Sequence, residues 1–265
     1  MRIIVPIKQV PETSNVKMDP ESGTMIREGI ESIINPLDLY AIEIAIQLKE
    51  KYGGTVTAVS MGPMKAEEAL REAVAMGCDD GMLLSNKAFA GSDTYATSYA
   101  LAQAVKKMGS FDLIICGERA TDGDTGQVGP GMAAWLGLPV GTYISEFIEA
   151  KGRSILVKRL VEDGYETLDI EMPCLLTVVK EIAYPRLPTL RGKQRARQIE
   201  IPVRGPEYIG ADMNLLGLNG SPTRVVKIES PKIARDGEIR TPREQGELDA
   251  AVDGIIKYLE KIEVL

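Results

Sequence analysis

The sequence of 265 residues contains no histidine. This absence excludes Ser-His and Cys-His nucleophile pairs, an imidazole general base and a histidine metal ligand. The three cysteines, Cys78, Cys116 and Cys174, lie far apart and form no Cys-x-x-Cys pair. The sequence therefore predicts neither a zinc site nor a disulfide framework, and no metal ligand set. We expect any chemistry to belong to a bound cofactor, with no catalytic side chain.

Long apolar runs and an excess of positive charge are also missing. Runs such as Leu113–Cys116 are far too short to cross a bilayer, and the N-terminal residues lack the pattern of a signal peptide. Lys and Arg number 31 against 38 Asp and Glu, which gives a formal net charge of −7. This balance argues against generic nucleic-acid binding. The sequence predicts a cytoplasmic protein that binds neither nucleic acid nor membrane.

Strand and helix patterns alternate over the first 140 residues. Apolar, β-branched runs predict strands at Arg2–Ile7, Thr55–Ser60, Gly81–Leu84 and Leu113–Gly117. Helical patterns separate these runs, and another follows near Val128–Leu136. Strands joined through helices are parallel, so we predict an α/β fold with an open, mostly parallel, doubly wound sheet. Residues 16–27 additionally predict a small hairpin.

The second half of the chain follows a different pattern. A β-hairpin is predicted within 143–179, from strands Ser154–Val161 and Glu166–Val179 joined at the Asp163-Gly164 turn. A basic loop then covers 186–200. Residues 205–242 are rich in Gly, Pro and Asn and predict an extended arm, and a helix follows at 241–261. We therefore expect a nucleotide-binding domain at 1–204 and a C-terminal arm and helix at 205–265 that packs on a partner.

The richest candidate site is the loop from Gly117 to Pro130. Open parallel sheets bind ligands at the carboxyl ends of their strands, and this loop follows a predicted strand. The chain has neither the Gly-x-Gly-x-x-Gly nor the Walker A motif, but four glycines here allow close backbone approach. Backbone amides and a helix N-terminus suit a pyrophosphate without a metal, and Asp122 and Asp124 suit ribose hydroxyls. The alternative is a turn whose Asp and Thr cap the next helix, although the glycine density favours a ligand.

Two further segments each allow two interpretations. Gly91–Ser98 is a hydroxyl-rich helix start, which either caps the helix or adds a phosphate or ribityl contact. The basic loop contains Leu187 and Leu190, which suit an exposed anchor for a protein partner. Alternatively, both leucines pack back onto the hairpin. The loop lacks interleaved aromatic residues, so nucleic acid is a poor fit.

Several segments together resemble the β subunits of electron transfer flavoproteins, in the same order along the chain. They are Ile7-Lys8-Gln9-Val10-Pro11, Asn35-Pro36-Leu37-Asp38, Met61-Gly62-Pro63, Ala75-Met76-Gly77-Cys78-Asp79, the 117–130 loop, and the hairpin from Val157-Lys158-Arg159 through Glu162-Asp163-Gly164 and Glu166 to Met172-Pro173. The resemblance covers essentially the whole chain, with a looser match in the tail. It implies a sheet similar to that of adenine-nucleotide α-hydrolases.

This family includes two kinds of β subunit. The ordinary electron carriers hold a structural AMP, whereas the electron-bifurcating kind holds a second FAD. Residues 122–130 and 91–97 resemble the bifurcating kind, apart from Gly126, where such relatives generally have Ala. The resemblance assigns cofactor contacts to Pro6, Asn35, Pro36, Leu37, Asp38, Met61, Thr94, Thr97, Gly117, Glu118, Arg119, Ala120, Thr121, Asp122, Gly123, Asp124, Thr125, Gly126, Gln127 and Val128. It assigns partner docking to Leu190.

The resemblance also implies a function. FAD in this subunit would accept hydride from NADH and send one electron to ferredoxin. The other electron would pass through the flavin of an α subunit to an FAD-dependent dehydrogenase of the acyl-CoA, enoyl-CoA or 2-hydroxyacid type. One alternative is an AMP-holding subunit of a non-bifurcating carrier. Another is an enzyme that hydrolyses or transfers adenine nucleotides, which the absence of a loop lysine disfavours.

Overall fold

The computed structural model describes residues 1–12, 32–226 and 239–261. The chain divides into two compact units, Met1–Val226 and Lys227–Leu265. The hairpin predicted at 16–27 and part of the predicted arm lie outside the described residues. Within the described ranges, no helix has the length and apolar character needed to cross a membrane.

A nine-stranded sheet forms the centre of the first unit, and a two-stranded ribbon lies beside it. The described strands are β1 (Arg2–Pro6), β2 (Gln9–Pro11), β3 (Ser32–Ile34), β4 (Thr55–Met61), β5 (Asp80–Leu84), β6 (Leu113–Gly117), β7 (Val140–Lys151), β8 (Ser154–Val161), β9 (Gly164–Glu171), β10 (Cys174–Val178) and β11 (Val203–Arg204). The order in the large sheet is β11-β5-β4-β1-β6-β10-β7-β8-β9. The pairs from β11 to β7 are parallel, whereas β7-β8 and β8-β9 are antiparallel. The predicted open, mostly parallel α/β sheet is confirmed.

Helices cover both faces of this sheet. Those described are α1 (Pro36–Tyr52), α2 (Glu67–Met76), α3 (Thr94–Met108), α4 (Val128–Leu136), α5 (Leu190–Gln198), α6 (Pro206–Ile209), α7 (Gly217–Gly220) and, in the second unit, α8 (Gln245–Lys261). Successive residues of β1 alternate between the two faces. Ile3 and Val5 pack with residues of α1 and α2, and Ile4 packs with residues of α3 and α4. Parallel strands buried on both faces require such continuous apolar runs.

The order of the strands places one edge of the sheet in position for a ligand. The chain proceeds from β1 outward to β4 and β5, then returns to β6 on the other side of β1. The strand order therefore reverses between β1 and β6. In open α/β sheets, ligands bind in the crevice at such a reversal, outside the carboxyl ends of the strands.

The second half departs from the sequence-based prediction in three places. The strand expected over 166–179 is two strands, because Pro173 has no N–H to continue the ladder, and β10 enters the parallel sheet instead. The strand β7 was not predicted. The 186–200 loop contains α5, which begins after Thr189, whose hydroxyl accepts a hydrogen bond from the Gly192 N–H.

The residues just after 204 also differ from an extended arm. They form α6 and α7, and Ile209 and Leu216 are buried in the core cluster with α3 and α4. The first compact unit accordingly reaches Val226 rather than ending at 204. The short turns of 205–226 lack the periodicity that predicts helices, but they bury enough apolar surface to join the domain. Packing of the remaining C-terminal segment on a partner stays a prediction.

Candidate functional site

The glycine-rich loop begins where β6 ends, at the reversal of strand order. Gly117 is the last residue of β6, and α4 begins at Val128. A Cβ on Gly117 would lie 2.5 Å from the Asp38 Oδ1 and 2.8 Å from the Leu37 carbonyl carbon. Only glycine therefore allows β6 to pass so close to the start of α1. This approach brings the loop over the first turn of α1.

Two buried side chains at the start of α1 hold the loop and β1 together. The Asn35 Nδ2 donates to the Arg119 carbonyl at 2.9 Å, and its Oδ1 accepts from the Thr121 N–H at 3.1 Å. The Asp38 Oδ2 accepts from the Lys8 N–H at 2.7 Å. Burial raises the pKa of Asp38 to about 7, although the hydrogen bonds from Lys8, Asn35 and Gly117 oppose the rise. Asn35 and Asp38 therefore fix the loop from beneath.

Charged side chains on the loop are paired with each other and with β1. The Lys8 Nζ lies 2.7 Å from the Asp122 carboxylate. The Arg119 Nε lies 3.0 Å from the Asp124 Oδ1 and 3.5 Å from the Glu118 Oε1. Both loop aspartates are thus paired with a basic side chain, Asp122 with Lys8 and Asp124 with Arg119.

The end of the loop presents hydrogen-bond donors. Within the described parts of the chain, the main-chain N–H groups of Thr125, Gly126 and Gln127 have no protein acceptor. They immediately precede α4, whose N-terminus adds a partial positive charge. The side chain of Gln127 is held in place, because its Oε1 accepts from the Thr94 Oγ1 at 2.8 Å. Unpaired amides beside a helix N-terminus suit a phosphate group.

The start of α3 forms the other side of a cavity beside the loop. The Asp93 Oδ1 accepts from the N–H groups of Tyr95 and Ala96, and its Oδ2 accepts the N–H and hydroxyl of Thr223. Partial burial alone would raise the pKa of Asp93, but these hydrogen bonds outweigh it and lower the pKa. The cavity has a volume of about 510 Å³, and Thr94, Ser98, Gln127, Trp135 and Thr223 are among its lining residues. Its wall is therefore both hydroxyl-rich and aromatic.

Comparison with known proteins decides the family. The family model described as "Electron transfer flavoprotein domain" matches residues 22–206. The chain belongs to the electron transfer flavoprotein family. It is 46% identical over 266 residues to the electron transfer flavoprotein subunit beta of Thermoanaerobacterium thermosaccharolyticum, with 100% of both chains covered. The chain is therefore a β subunit of this family.

Two further relatives carry names that refer to reductases. The caffeyl-CoA reductase-Etf complex subunit CarD of Acetobacterium woodii is 46% identical over 242 residues, covering 91% of this chain and 92% of the relative. The acryloyl-CoA reductase electron transfer subunit gamma of Anaerotignum propionicum is 41% identical over 265 residues, covering 97% and 98%.

The fold brings most of the cofactor residues predicted for this flavoprotein subunit to one edge. Pro6 ends β1, residues 35–38 begin α1, residues 117–127 form the loop, and Val128 begins α4. Thr94 joins them through Gln127, and Thr97 lies one turn further along α3. Met61 ends β4, next to β1 in the sheet. Leu190 lies elsewhere, at the start of α5, which packs against α2. The cofactor contacts themselves stay predictions.

Sequence reasoning missed three parts of this site. Lys8 was visible as a cation after a predicted strand, and Trp135, as the one tryptophan of the chain, was visible beside the loop. The contact between Asp93 and Thr223 joins residues 130 positions apart, and no local pattern could reveal it.

The segment from Arg186 to Leu190 is fixed to α1 by Arg186, while its leucine side chains face solvent. Arg186 makes five hydrogen bonds to Glu43 and Glu50 on α1, four from its guanidinium and one from its main-chain N–H. Leu187 is nonetheless 86% exposed and Leu190 88% exposed. The alternative that both leucines pack back onto the hairpin is wrong.

Proposed function

We propose that this β subunit belongs to an electron-bifurcating flavoprotein and binds FAD at the carboxyl edge of its sheet. The observation that carries the proposal is the loop at the reversal of strand order, with its unpaired amides, beside a cavity that extends past α3. The chain belongs to a family of flavoproteins, and the site geometry supports a dinucleotide in this subunit.

The residues present fit such a group. The atoms of α1 leave no space for a side chain at position 117, so the loop backbone lies close against α1. Asn35 and Asp38 fix it there. The neutral N–H donors of 125–127 and the N-terminus of α4 suit a pyrophosphate without a metal ion. Among the described residues, no group of three or more Cys, Asp and Glu side chains is arranged to hold a metal. The neutral donors of the loop support a nucleotide site.

Each group of site residues would contact a different part of the cofactor. Loop residues 117–127 and Val128 would hold the phosphates through their main chain, while Pro6, residues 35–38 and Met61 would enclose the adenosine. Thr94 and Thr97 would donate or accept along the ribityl chain. When bound, FAD would supply a hydride acceptor for NADH and donate single electrons to ferredoxin and to the α-subunit flavin. The protein supplies binding and orientation, which a chain without histidine can do.

The cavity beside the loop favours FAD over AMP. Its lining by Thr94, Ser98 and Thr223 continues the row of polar groups past the loop, and Trp135 adds an aromatic wall. Tyr95 packs against Trp135 with ring centroids 5.1 Å apart, so this wall is held in place. An AMP would end at its single phosphate and leave these groups without a ligand.

The proposed partners are an electron transfer flavoprotein α subunit, ferredoxin and an FAD-dependent dehydrogenase. The names of the relatives from Acetobacterium woodii and Anaerotignum propionicum support a dehydrogenase that acts on a CoA thioester. The exposed Leu187 and Leu190 would anchor this partner, and the cations of α5 would steer an acidic surface toward them. We also propose a cytoplasmic location, which suits NADH and ferredoxin as partners.

Anaerobic titration with NADH tests this proposal. The purified heterodimer should lose flavin absorbance at about 450 nm on addition of NADH, before any dehydrogenase is present. Titration with NADPH at the same concentrations is the control for nucleotide specificity. A heterodimer whose flavin is not reduced by NADH, but is reduced by a dehydrogenase and its substrate, would instead be the non-bifurcating carrier with structural AMP.

A further inference from the structure

Among the described residues, Lys8 is the one cation outside the 117–130 loop whose side chain forms an ion pair with a loop residue. It follows β1 at the reversal of strand order, and its Nζ lies 2.7 Å from the Asp122 carboxylate. Its main chain is fixed, because its N–H donates to Asp38 at 2.7 Å and its carbonyl accepts from the Asn35 N–H at 2.8 Å. Its side chain is 49% exposed. Lys8 therefore combines a fixed main chain with a partly exposed ammonium group.

The loop itself carries an excess of negative charge. Glu118, Asp122 and Asp124 outnumber its single cation, Arg119, which is already paired with Glu118 and Asp124. A phosphate that binds beside these carboxylates meets like charge, which opposes binding. An additional cation would offset this repulsion, and the Lys8 ammonium group already contacts the loop at Asp122.

The ion pair between Lys8 and Asp122 is easy to exchange. Both side chains are partly exposed, and ion pairs of this kind contribute little net stability. A phosphate is a stronger partner than a single carboxylate, since it offers several acceptor oxygens and carries up to two charges. Asp122 can turn to solvent, because it is about one-third exposed.

We propose that Lys8 is a phosphate contact of the nucleotide site and that Asp122 competes with the nucleotide for it. In the free protein, Asp122 holds the ammonium group at the mouth of the loop. When the nucleotide binds, Lys8 exchanges the carboxylate for a phosphate oxygen. This inference rests on the proposal that the loop holds nucleotide phosphates, and it applies to AMP and FAD alike.

The proposal predicts opposite effects for the two halves of the ion pair. Calorimetric titration of the nucleotide-free heterodimer with AMP should show roughly tenfold weaker binding for Lys8→Gln, the loss of one charge-assisted hydrogen bond. Asp122→Asn should bind AMP several-fold more tightly, because the competitor is gone. Adenosine, which has no phosphate, should bind each variant within about twofold of wild type. Lys8→Arg keeps the charge and should retain most of the AMP affinity.

Lys106→Gln provides the matched control. This lysine is exposed near the last residue of α3, at the opposite end of that helix from Thr94, and its substitution makes the same change of charge. It should leave AMP binding unchanged. If Lys8→Gln and Asp122→Asn weaken AMP equally, or if Lys8→Gln weakens adenosine as much as AMP, the pair only holds the loop shut and the inference is wrong. If wild type binds no AMP or FAD at all, the nucleotide site itself fails.

Discussion

The contact between Arg186 and α1 allows a quantitative prediction about what holds the docking segment in place. Glu43 is almost fully buried, with 4% of its side chain exposed, whereas Glu50 is 55% exposed. Burial alone would raise the pKa of Glu43, but the hydrogen bonds from Arg186 and Gln47 outweigh it and lower the pKa. The two carboxylates therefore depend on Arg186 to very different extents.

Replacing Arg186 with methionine keeps an apolar stem and leaves a buried carboxylate without its cation. Such a change costs roughly 3–5 kcal/mol, and we expect about 3 kcal/mol here because Arg186 itself is partly exposed. Glu50→Gln removes only an exposed partner and should cost less than about 1 kcal/mol. The double variant Glu43→Gln/Arg186→Met removes both charges and should recover most of the loss.

The loss should also depend on pH. Wild-type Glu43 has a lowered pKa, so its ion pair stabilises the fold above the ordinary glutamate pKa of 4.5 and loses this effect as the pH falls. In Arg186→Met, only the hydrogen bond from Gln47 still opposes the effect of burial, so the pKa of Glu43 rises and the carboxyl takes up a proton at a higher pH. The stability gap between variant and wild type should therefore shrink between pH 7 and about 4.5.

Urea unfolding of the heterodimer, followed by circular dichroism at fixed protein concentration, measures these differences. The reasoning fails if Arg186→Met costs no more than Glu50→Gln. It also fails if the gap between Arg186→Met and wild type stays constant on acidification.

Three further predictions address the site and the docking surface. Gly123→Val should remove the β-subunit nucleotide but leave the fold intact, since among the described residues no atom beyond the neighbours of Gly123 in the chain lies within 4 Å of the added Cβ. The nucleotide released on denaturation measures the effect, and unchanged content would show that the pyrophosphate does not contact this position. Leu187→Ala and Leu190→Ala should each weaken dehydrogenase docking by roughly tenfold to a hundredfold in surface plasmon resonance, while NADH still reduces the flavin. A variant that unfolds more easily but docks normally would show that the leucine is a core residue. Asp38→Asn should lose less stability than wild type as the pH rises from about 4 to 7. The reason is that the pKa of Asp38 is raised to about 7 in the folded protein, so ionisation of this carboxyl favours the unfolded state. Parallel profiles of unfolding free energy against pH would contradict this.

The sequence predicted the elements whose signals are local. The apolar run of β6, the helix start within Gly91–Ser98 and the Asp163-Gly164 turn each depend on a few neighbouring residues, and all three are where the pattern placed them. The strand β10 was merged with β9 because both runs have strand character. Their separation depends on Pro173 and on pairing with β6, a strand more than fifty residues away.

The candidate site was predictable to a similar extent. The glycine density at 117–129 and the hydroxyl groups at the start of α3 indicated that these two segments could meet a ligand. The pairing of Lys8 with Asp122 and the position of Thr223 on Asp93 depend on how distant elements pack. Likewise, the helix α5 was predicted as a loop because Leu190 to Gln198 carries few apolar residues. Arg71 of α2 donates to main-chain carbonyls at the end of α5, and Arg195 of α5 donates to the carbonyls of Cys78 and Asp79, just after α2.

The most direct test of the account is the identity and number of nucleotides in the heterodimer. The purified complex is denatured, and the released nucleotides are separated by chromatography and quantified against the protein. The account predicts two FAD molecules per heterodimer and no AMP. One FAD and one AMP per heterodimer would contradict it and identify the chain as a subunit of a non-bifurcating carrier.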